Sequence, residues 1–281
     1  MTDVVLDEQL AALRRRYGTR AAEQVAGRGG SGAWNDVIAL QLAHRSVRKF
    51  LPEPSPRTIC ARSWPRPPPP RARATCSCGA SWPSPTATGS PGSRLSPATS
   101  RRCVTLHCCS CGWPTSPRGA GREQHDKDLV NVDYVESALL GVVDAALAAQ
   151  NAVLAAESLG LGTVYIGAIR NHPRDVAAEL ALPDHSFAVV GLVVGRPDPE
   201  VESEVKPRLG QDVVLHREQY STEERDAGLA VYEEEISGFY RDQGLAESWV
   251  ERVLGRFASP GALGSREQMR EALRERGFGL D

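Results

Sequence analysis

From Asp133 onward the apolar positions recur with the periods of regular secondary structure. Val135, Leu139, Leu140, Val142, Val143, Leu147, Val153 and Leu154 fall near helical spacing with alanines between them, which predicts a long, mostly buried helix. It is expected to stop at Ser158-Leu-Gly-Leu-Gly162, where glycine supplies the left-handed C-terminal conformation. Thr163 to Ile166 then reads as a short strand, and a second helix starts after Pro173 and runs to about Leu180. Ser186 to Val194 is almost wholly apolar, the pattern of a strand buried on both faces, which implies helices on both sides of a sheet. Residues 222–281 return to charged amphipathic helix, with Trp249, Val253 and Phe257 at four-residue spacing, and are expected to form an arm that packs on another surface.

This order breaks sharply upstream. The seven cysteines (60, 76, 78, 103, 108, 109, 111) lie within 52 residues, and between Glu53 and Glu123 there is no Asp, Glu or Lys. At uniform usage a gap of that size would hold about nine acidic residues, so the segment obeys different rules from its flanks. The rest is ordinary: 281 residues can bury a substantial core, and the formal charge of −2 gives no reason to expect nucleic acid or an anionic membrane as partner. No run approaches the eighteen or so consecutive apolar residues of a membrane span, and the opening MTDVVLDEQLAALRRRYG lacks a signal-peptide apolar block, so a cytoplasmic protein is expected.

Three short motifs carry candidate chemistry. Leu42 to Phe50 reads LAHRSVRKF. Taken alone, a basic cluster at a helix end is most often a solvated face; the functional reading is an anion cradle in which Arg45 and Arg48 hold phosphate oxygens in fork geometry and Ser46 adds an uncharged donor. Tyr165 to Asn171 (YIGAIRN) leaves a strand through a glycine, where backbone can approach a flat ligand, or is a plain strand-to-helix turn. Lys206-Pro-Arg208 is a rigidly spaced basic pair, or a surface loop.

In this order the three resemble the flavin-dependent nitroreductase and NADPH-flavin oxidoreductase family, whose chains begin with HRSxR and continue through YIGxxRN to KPRLP. The resemblance is close over residues 35–56 and 124–220. It implies that His44, Arg45, Ser46 and Arg48 contact the phosphate and ribityl chain of FMN, that Tyr165, Ile166, Gly167 and Ala168 lie at the isoalloxazine, and that Lys206 and Arg208 complete the phosphate site. Gly210 stands where the family usually has Pro, which loosens that loop and leaves the basic pair intact. The implied fold is α+β: an α/β sandwich with a central mixed sheet flanked by helices, formed as an intimate homodimer. The implied division is an N-terminal helical extension over 1–34, an FMN-binding domain over 35–225 and a C-terminal helical arm over 226–281. The implied activity is hydride transfer from NAD(P)H through FMN to a nitroaromatic, quinone or flavin, with NADPH the family's leaning and NADH an alternative. The flavin carries the chemistry, so no side chain is nominated as acid or base. His216 and Arg217 are candidates for the nucleotide side, and no single arginine among Arg217, Arg225 and Arg241 stands out for a 2′-phosphate.

The segment from about 57 to 118 has three readings. A Pro-rich linker or insert is one; a Cys-rich metal site, which would make this a non-enzymatic binding protein, is the second, although Cys76-x-Cys78 and Cys108-Cys-x-Cys111 do not have regular zinc spacing. The third is out-of-frame translation. If each true codon is the last base of one codon plus the first two of the next, Cys, Trp and many Ser codons place T at the middle position and become apolar residues. Arg71 to Thr86 then permits STSNLQLWSVVAVTD, and Arg101 to Pro117 permits SLRDAPLLFVWVADLA, with Leu obligatory at His107–Cys108 and Cys108–Cys109. One fixed shift thus restores the family's small-polar flavin stretch and two apolar strands. As written, the segment is expected to be poorly ordered, and the chain to fold poorly and hold FMN weakly.

Overall fold

The computed structural model describes residues 3–27, 34–52, 103–110, 133–201, 204–245 and 248–280. In chain order its elements are α1 (Asp3–Gly27), α2 (Asp36–Ala43), β1 (Cys103–Ser110), α3 (Val135–Glu157), β2 (Gly162–Ile166), a 3-10 turn (Gly167–Arg170), α4 (Pro173–Glu179), β3 (Ser186–Gly195), α5 (Gln211–Val214), α6 (Thr222–Asp242), α7 (Trp249–Phe257) and α8 (Met269–Glu275). They divide into two compact units, Met1–Arg45 with Ser203–Ala262, and Ser46–Glu202 with Leu263–Asp281.

The first unit is helical. α1 is broken at Gly18, whose φ of 80° is open to glycine and whose missing side chain leaves the space taken by the Glu235 carboxylate. Asn35 caps α2 by accepting the Ile38 N–H at 2.9 Å, and Ser221 caps α6 by accepting the Glu224 N–H at 3.2 Å. Gly228, Tyr232, Ile236 and Tyr240 recur every four residues and form the buried stripe of α6, against which Leu209, Phe239 and Trp249 pack. Trp249 meets Tyr232 edge-on, with ring centroids 5.2 Å apart. The amphipathic helix expected over 222–281 is in fact interrupted: α6 ends before Gly244, at φ 70°, and a second break at Gly264 and Ser265, both left-handed, separates α7 from α8. The expected packing stripe also divides, since Trp249 is half-buried whereas Phe257 is largely exposed.

The second unit is built on a sheet of order β1-β3-β2. β3 lies in the middle and nine of its ten residues are buried, as its unbroken apolar run requires. The small-residue face of α3 (Ala138, Gly141, Ala145, Ala149, Val153, Ala156) is buried, and its residues share core clusters with Phe187, Val189, Leu192 and Val194 of β3. Phe278, after α8, closes one end of this core edge-on to Phe187 at 5.6 Å.

Several expectations change here. The named strands pair antiparallel throughout, where a mixed sheet was expected; among the described residues parallel pairing is confined to one bridge, Ser46 with Thr163. Residues 103–110 lie inside the segment expected to be poorly ordered, yet they form β1, paired with β3 from Cys103↔Val194 to Ser110↔Ser186 with one register shift at His107/Cys108. Backbone pairing needs only an extended chain beside an open strand edge, which Cys, Thr and Ser support. The remainder of that segment lies outside the described residues. α3 spans the expected range but is buried on one side alone: Val135, Leu139, Leu140, Val143 and Leu147 are exposed. It is also long and apolar enough, by length and composition, to cross a membrane, with a mean hydropathy of 1.6. Its leucines and valines supply most of that value and its alanines the rest, and the polar Asp144, Gln150 and Asn151 break the run that a count of consecutive apolar residues looks for.

Candidate functional site

In the first unit, two of the three motifs meet through a residue that the sequence reading did not single out. Arg16, on α1 and only 4% exposed, donates from Nε to the Leu42 carbonyl at 2.9 Å, from Nη1 to the Lys206 carbonyl at 3.2 Å, and from Nη2 to the His44 carbonyl. Its own carbonyl accepts the Arg208 N–H at 2.7 Å. Leu42 and His44 lie at the C-terminal end of α2, where carbonyls lack intrahelical partners and the helix dipole favours a cation. One guanidinium therefore brings the His44–Arg45 end of α2 beside Lys206–Arg208. The signal was present but faint: Gln9, Ala12 and Arg16 are buried at spacings of three and four, so Arg16 is a charged residue on a helix's inward face.

α6 supports the same loop. The Lys206 ammonium donates to the Tyr240 hydroxyl at 2.9 Å and lies 4.9 Å from that ring's centroid, with the Arg252 guanidinium 5.2 Å from the same centroid. The Tyr232 hydroxyl donates to the Pro207 carbonyl at 3.3 Å, and burial pushes its pKa up to about 12, which keeps it a proton donor. Arg45 and Arg208 remain exposed, and His44 and Lys206 half-exposed. The backbone at His44–Arg45 and that at Lys206–Arg208 are thus joined through Arg16, and cationic side chains of this kind are the donors an organic phosphate requires.

In the second unit, Ser46 bridges Thr163, and the Val47 N–H donates to the Thr163 carbonyl at 2.9 Å. The approach is close because residue 162 is glycine: a Cβ there would lie 2.7 Å from a Val47 methyl. Phe50 uses Gly195 in the same way, and backbone bonds from Leu51 to Arg196 and from Asp198 to Lys49 hold this stretch along the sheet. Ser46 and Arg48 are therefore fixed beside β2, the strand that leads into Tyr165, Ile166, Gly167 and Ala168. β2 is itself anchored to α3: Thr163 Oγ1 donates to Glu157 at 2.7 Å and Tyr165 Oη to Gln150 at 3.2 Å. Burial, with the Glu157 charge, raises the Tyr165 pKa and keeps that hydroxyl neutral. Among the described residues, a Cβ on Gly167 would meet nothing within 3.6 Å, and the Arg170 and Arg266 guanidiniums are the groups nearest to it. This open backbone face suits a flat ring. Arg266, which donates to Asn171 at 2.8 Å, is a further neighbour of the motif that sequence spacing could not supply.

The candidates for the nucleotide side are less free. His216 Nδ1 accepts the Ser221 N–H at 3.3 Å and its ring lies 4.3 Å from that of Tyr220, so it holds the turn before α6. Arg225 is bound to Asp226 and Tyr220. Among the described residues no group of three or more His, Cys, Asp or Glu is arranged to hold a metal.

Comparison with known proteins converges on one description. Residues 135–196 match the model of the nitroreductase family, and residues 206–281 that of the nitroreductase family C-terminal domain. NADPH-flavin oxidoreductase from Vibrio harveyi is 39% identical over 132 residues, 46% of this chain and 54% of the relative. The chain spans about half the length of the curated relatives it matches. Among solved structures, the hypothetical oxidoreductase YcnD from Bacillus subtilis superposes with a TM-score of 0.69 at 27% identity, covering 88% of this chain and all of that one. The NADPH:FMN oxidoreductase from Vibrio harveyi complexed with NAD+ gives 0.59 at 26% identity, with the same coverage.

Proposed function

Because the chain carries nitroreductase-family domains over residues 135–196 and 206–281 in a nitroreductase-like fold, we propose that it is an FMN-dependent NAD(P)H oxidoreductase of the nitroreductase and flavin-reductase type. The observation that carries this reading is the joining of the His44 end of α2, next to Arg45, to Lys206 by the single guanidinium of Arg16, with the Arg208 N–H on the Arg16 carbonyl. When bound, FMN supplies the redox chemistry, accepting hydride from NAD(P)H and passing electrons to a nitroaromatic, quinone or flavin.

The chain's residues bind and orient. His44, Arg45, Lys206 and Arg208 take the phosphate, and Tyr240 holds the Lys206 ammonium in place for it. Ser46 and Arg48 add contacts to the phosphate and ribityl chain, while Tyr165, Ile166, Gly167 and Ala168 offer backbone and an open glycine face to the ring. NADPH is the preferred donor, the acceptor is a small molecule, and the protein acts in the cytoplasm. The assembly is a homodimer with α/β sandwich architecture; the exposed apolar side of α3 supports it, since Leu139, Leu140, Val143 and Leu147 need cover from another surface.

Titration of the purified chain with FMN and with riboflavin, read by quenching of flavin fluorescence, tests the reading. FMN is expected to bind at least about 100-fold more tightly, since several charge-assisted bonds to phosphate are each worth about 1.5–3 kcal/mol. NADPH oxidation should then depend on FMN and on an added acceptor. Equal affinity for the two flavins would remove the proposal.

A further inference from the structure

We propose that Arg16 is the positioning residue of the phosphate cradle, and that α1 exists in this chain partly to deliver it. The inference rests on the FMN reading and adds to it a residue from outside both family-matched stretches. Arg16 is too deeply buried to contact a ligand, so it acts through what it holds. Its three donated bonds join two segments remote in sequence: Leu42 and His44 on one side, Lys206 on the other. The Arg208 N–H closes the arrangement from behind by donating to the Arg16 carbonyl.

The geometry explains why arginine stands here. A guanidinium presents its N–H groups in a rigid planar fork, so carbonyls bonded to different nitrogens are held at a set separation. An ammonium on a flexible stem can bond the same carbonyls one at a time but imposes no spacing. The separation between the α2 end and the 206–208 loop decides whether Arg45, Lys206 and Arg208 reach one phosphate together. Tyr240 and Tyr232 hold the 206–208 loop from the side of α6, yet neither bonds to α2 in the hydrogen bonds described above, whereas Arg16 spans both segments.

Two substitutions separate positioning from plain charge. Arg16→Met removes both, and Arg16→Lys keeps the charge but loses the fork. FMN affinity is expected to fall about 30-fold in Arg16→Met and about 5- to 10-fold in Arg16→Lys, while riboflavin affinity stays within about 2-fold of the unsubstituted chain. Full recovery of FMN affinity in Arg16→Lys, or a riboflavin loss equal to the FMN loss, would overturn the inference. Amide hydrogen exchange of the flavin-free protein supplies a readout independent of FMN. Residues 42–45 and 205–209 should exchange faster in both variants, while the amides of β3 keep their protection; unchanged exchange in those two stretches would equally overturn it. An unsubstituted chain that binds FMN no better than riboflavin would instead count against the FMN reading, and the exchange comparison would still decide the role of Arg16. Arg16→Lys carries the test if Arg16→Met fails to fold.

Discussion

At the scale of single residues, this chain depends on side chains whose neighbours are far away in sequence. Gly162 is an example. In the sequence it reads as part of a helix-ending Ser-Leu-Gly-Leu-Gly, but Gly160 already supplies the left-handed turn at φ 74°, and Gly162 is needed because Val47 packs against its α-carbon. Gly162→Ala is therefore expected to destabilise the protein by about 1–3 kcal/mol, because backbone and a β-branched side chain must move apart. The loss should appear in chemical denaturation as a lower midpoint with an unchanged slope. Combining it with Val47→Ala should recover only part of that loss, since the two methyls at 2.7 and 2.9 Å go but the Val47 Cβ at 2.8 Å stays. Additive penalties in the double variant would show that the close approach is not the cause. Arg16 is the polar counterpart: a buried charge that joins carbonyls far apart in sequence.

At the scale of elements, α3 shows how one helix answers two demands. Alanine and glycine line the side shared with β3, so helix and sheet approach closely, while larger residues point away. Periodicity located the helix to within a residue or two at each end. It could not say that only one side is covered, because apolar residues occur all round and the sequence pattern of a core helix and of a helix at a subunit interface is the same. Leu140 and Leu147, seven residues apart, lie on the same exposed side. The double variant Leu140→Glu/Leu147→Glu is expected to sediment as a monomer with its helical circular dichroism retained, where the unsubstituted chain sediments as a dimer. A monomeric unsubstituted chain would refute the dimer. Each large apolar side chain recovered from water is worth about 1.5–3 kcal/mol, so two buried carboxylates facing their symmetry mates would outweigh the remaining contacts.

At the scale of the whole molecule, the anomalous stretch between Glu53 and Glu123 is the main open feature. Its one described part, β1, occupies a sheet position beside β3, whose residues are almost all buried. A strand in that place is best served by apolar residues, and the shifted frame over Arg101 to Pro117 places Leu-Leu-Phe at the His107–Ser110 end of β1, with VWV following it. The gene is accordingly expected to show one change in length near codons 53–58 and a compensating one near codons 117–123. Between them an uninterrupted alternative frame should encode SNLQ and LLFVWVAD. Resequencing that stretch reads this directly, and a stop codon in the alternative frame would show that the Cys- and Pro-rich text is genuine.

The sequence by itself determined the elements from residue 135 to 195, the buried central strand and the identity of the three motifs, because these depend on local periodicity and on residue types at short spacing, whereas the breaks in the helical region after 222 escaped it. It also placed the turn at Gly167 and the helix from Pro173, which rest on backbone chemistry a few residues long. Only the tertiary structure decided that the helix end at His44 and the loop at Lys206 share one guanidinium, that Gly162 makes room for Val47, and that residues 103–110 pair with β3. Apart from the 28 residues between Arg16 and His44, these join positions 76 to 190 residues apart, and each is set by packing and by the need of buried carbonyls for donors, neither of which leaves a regular period in the chain.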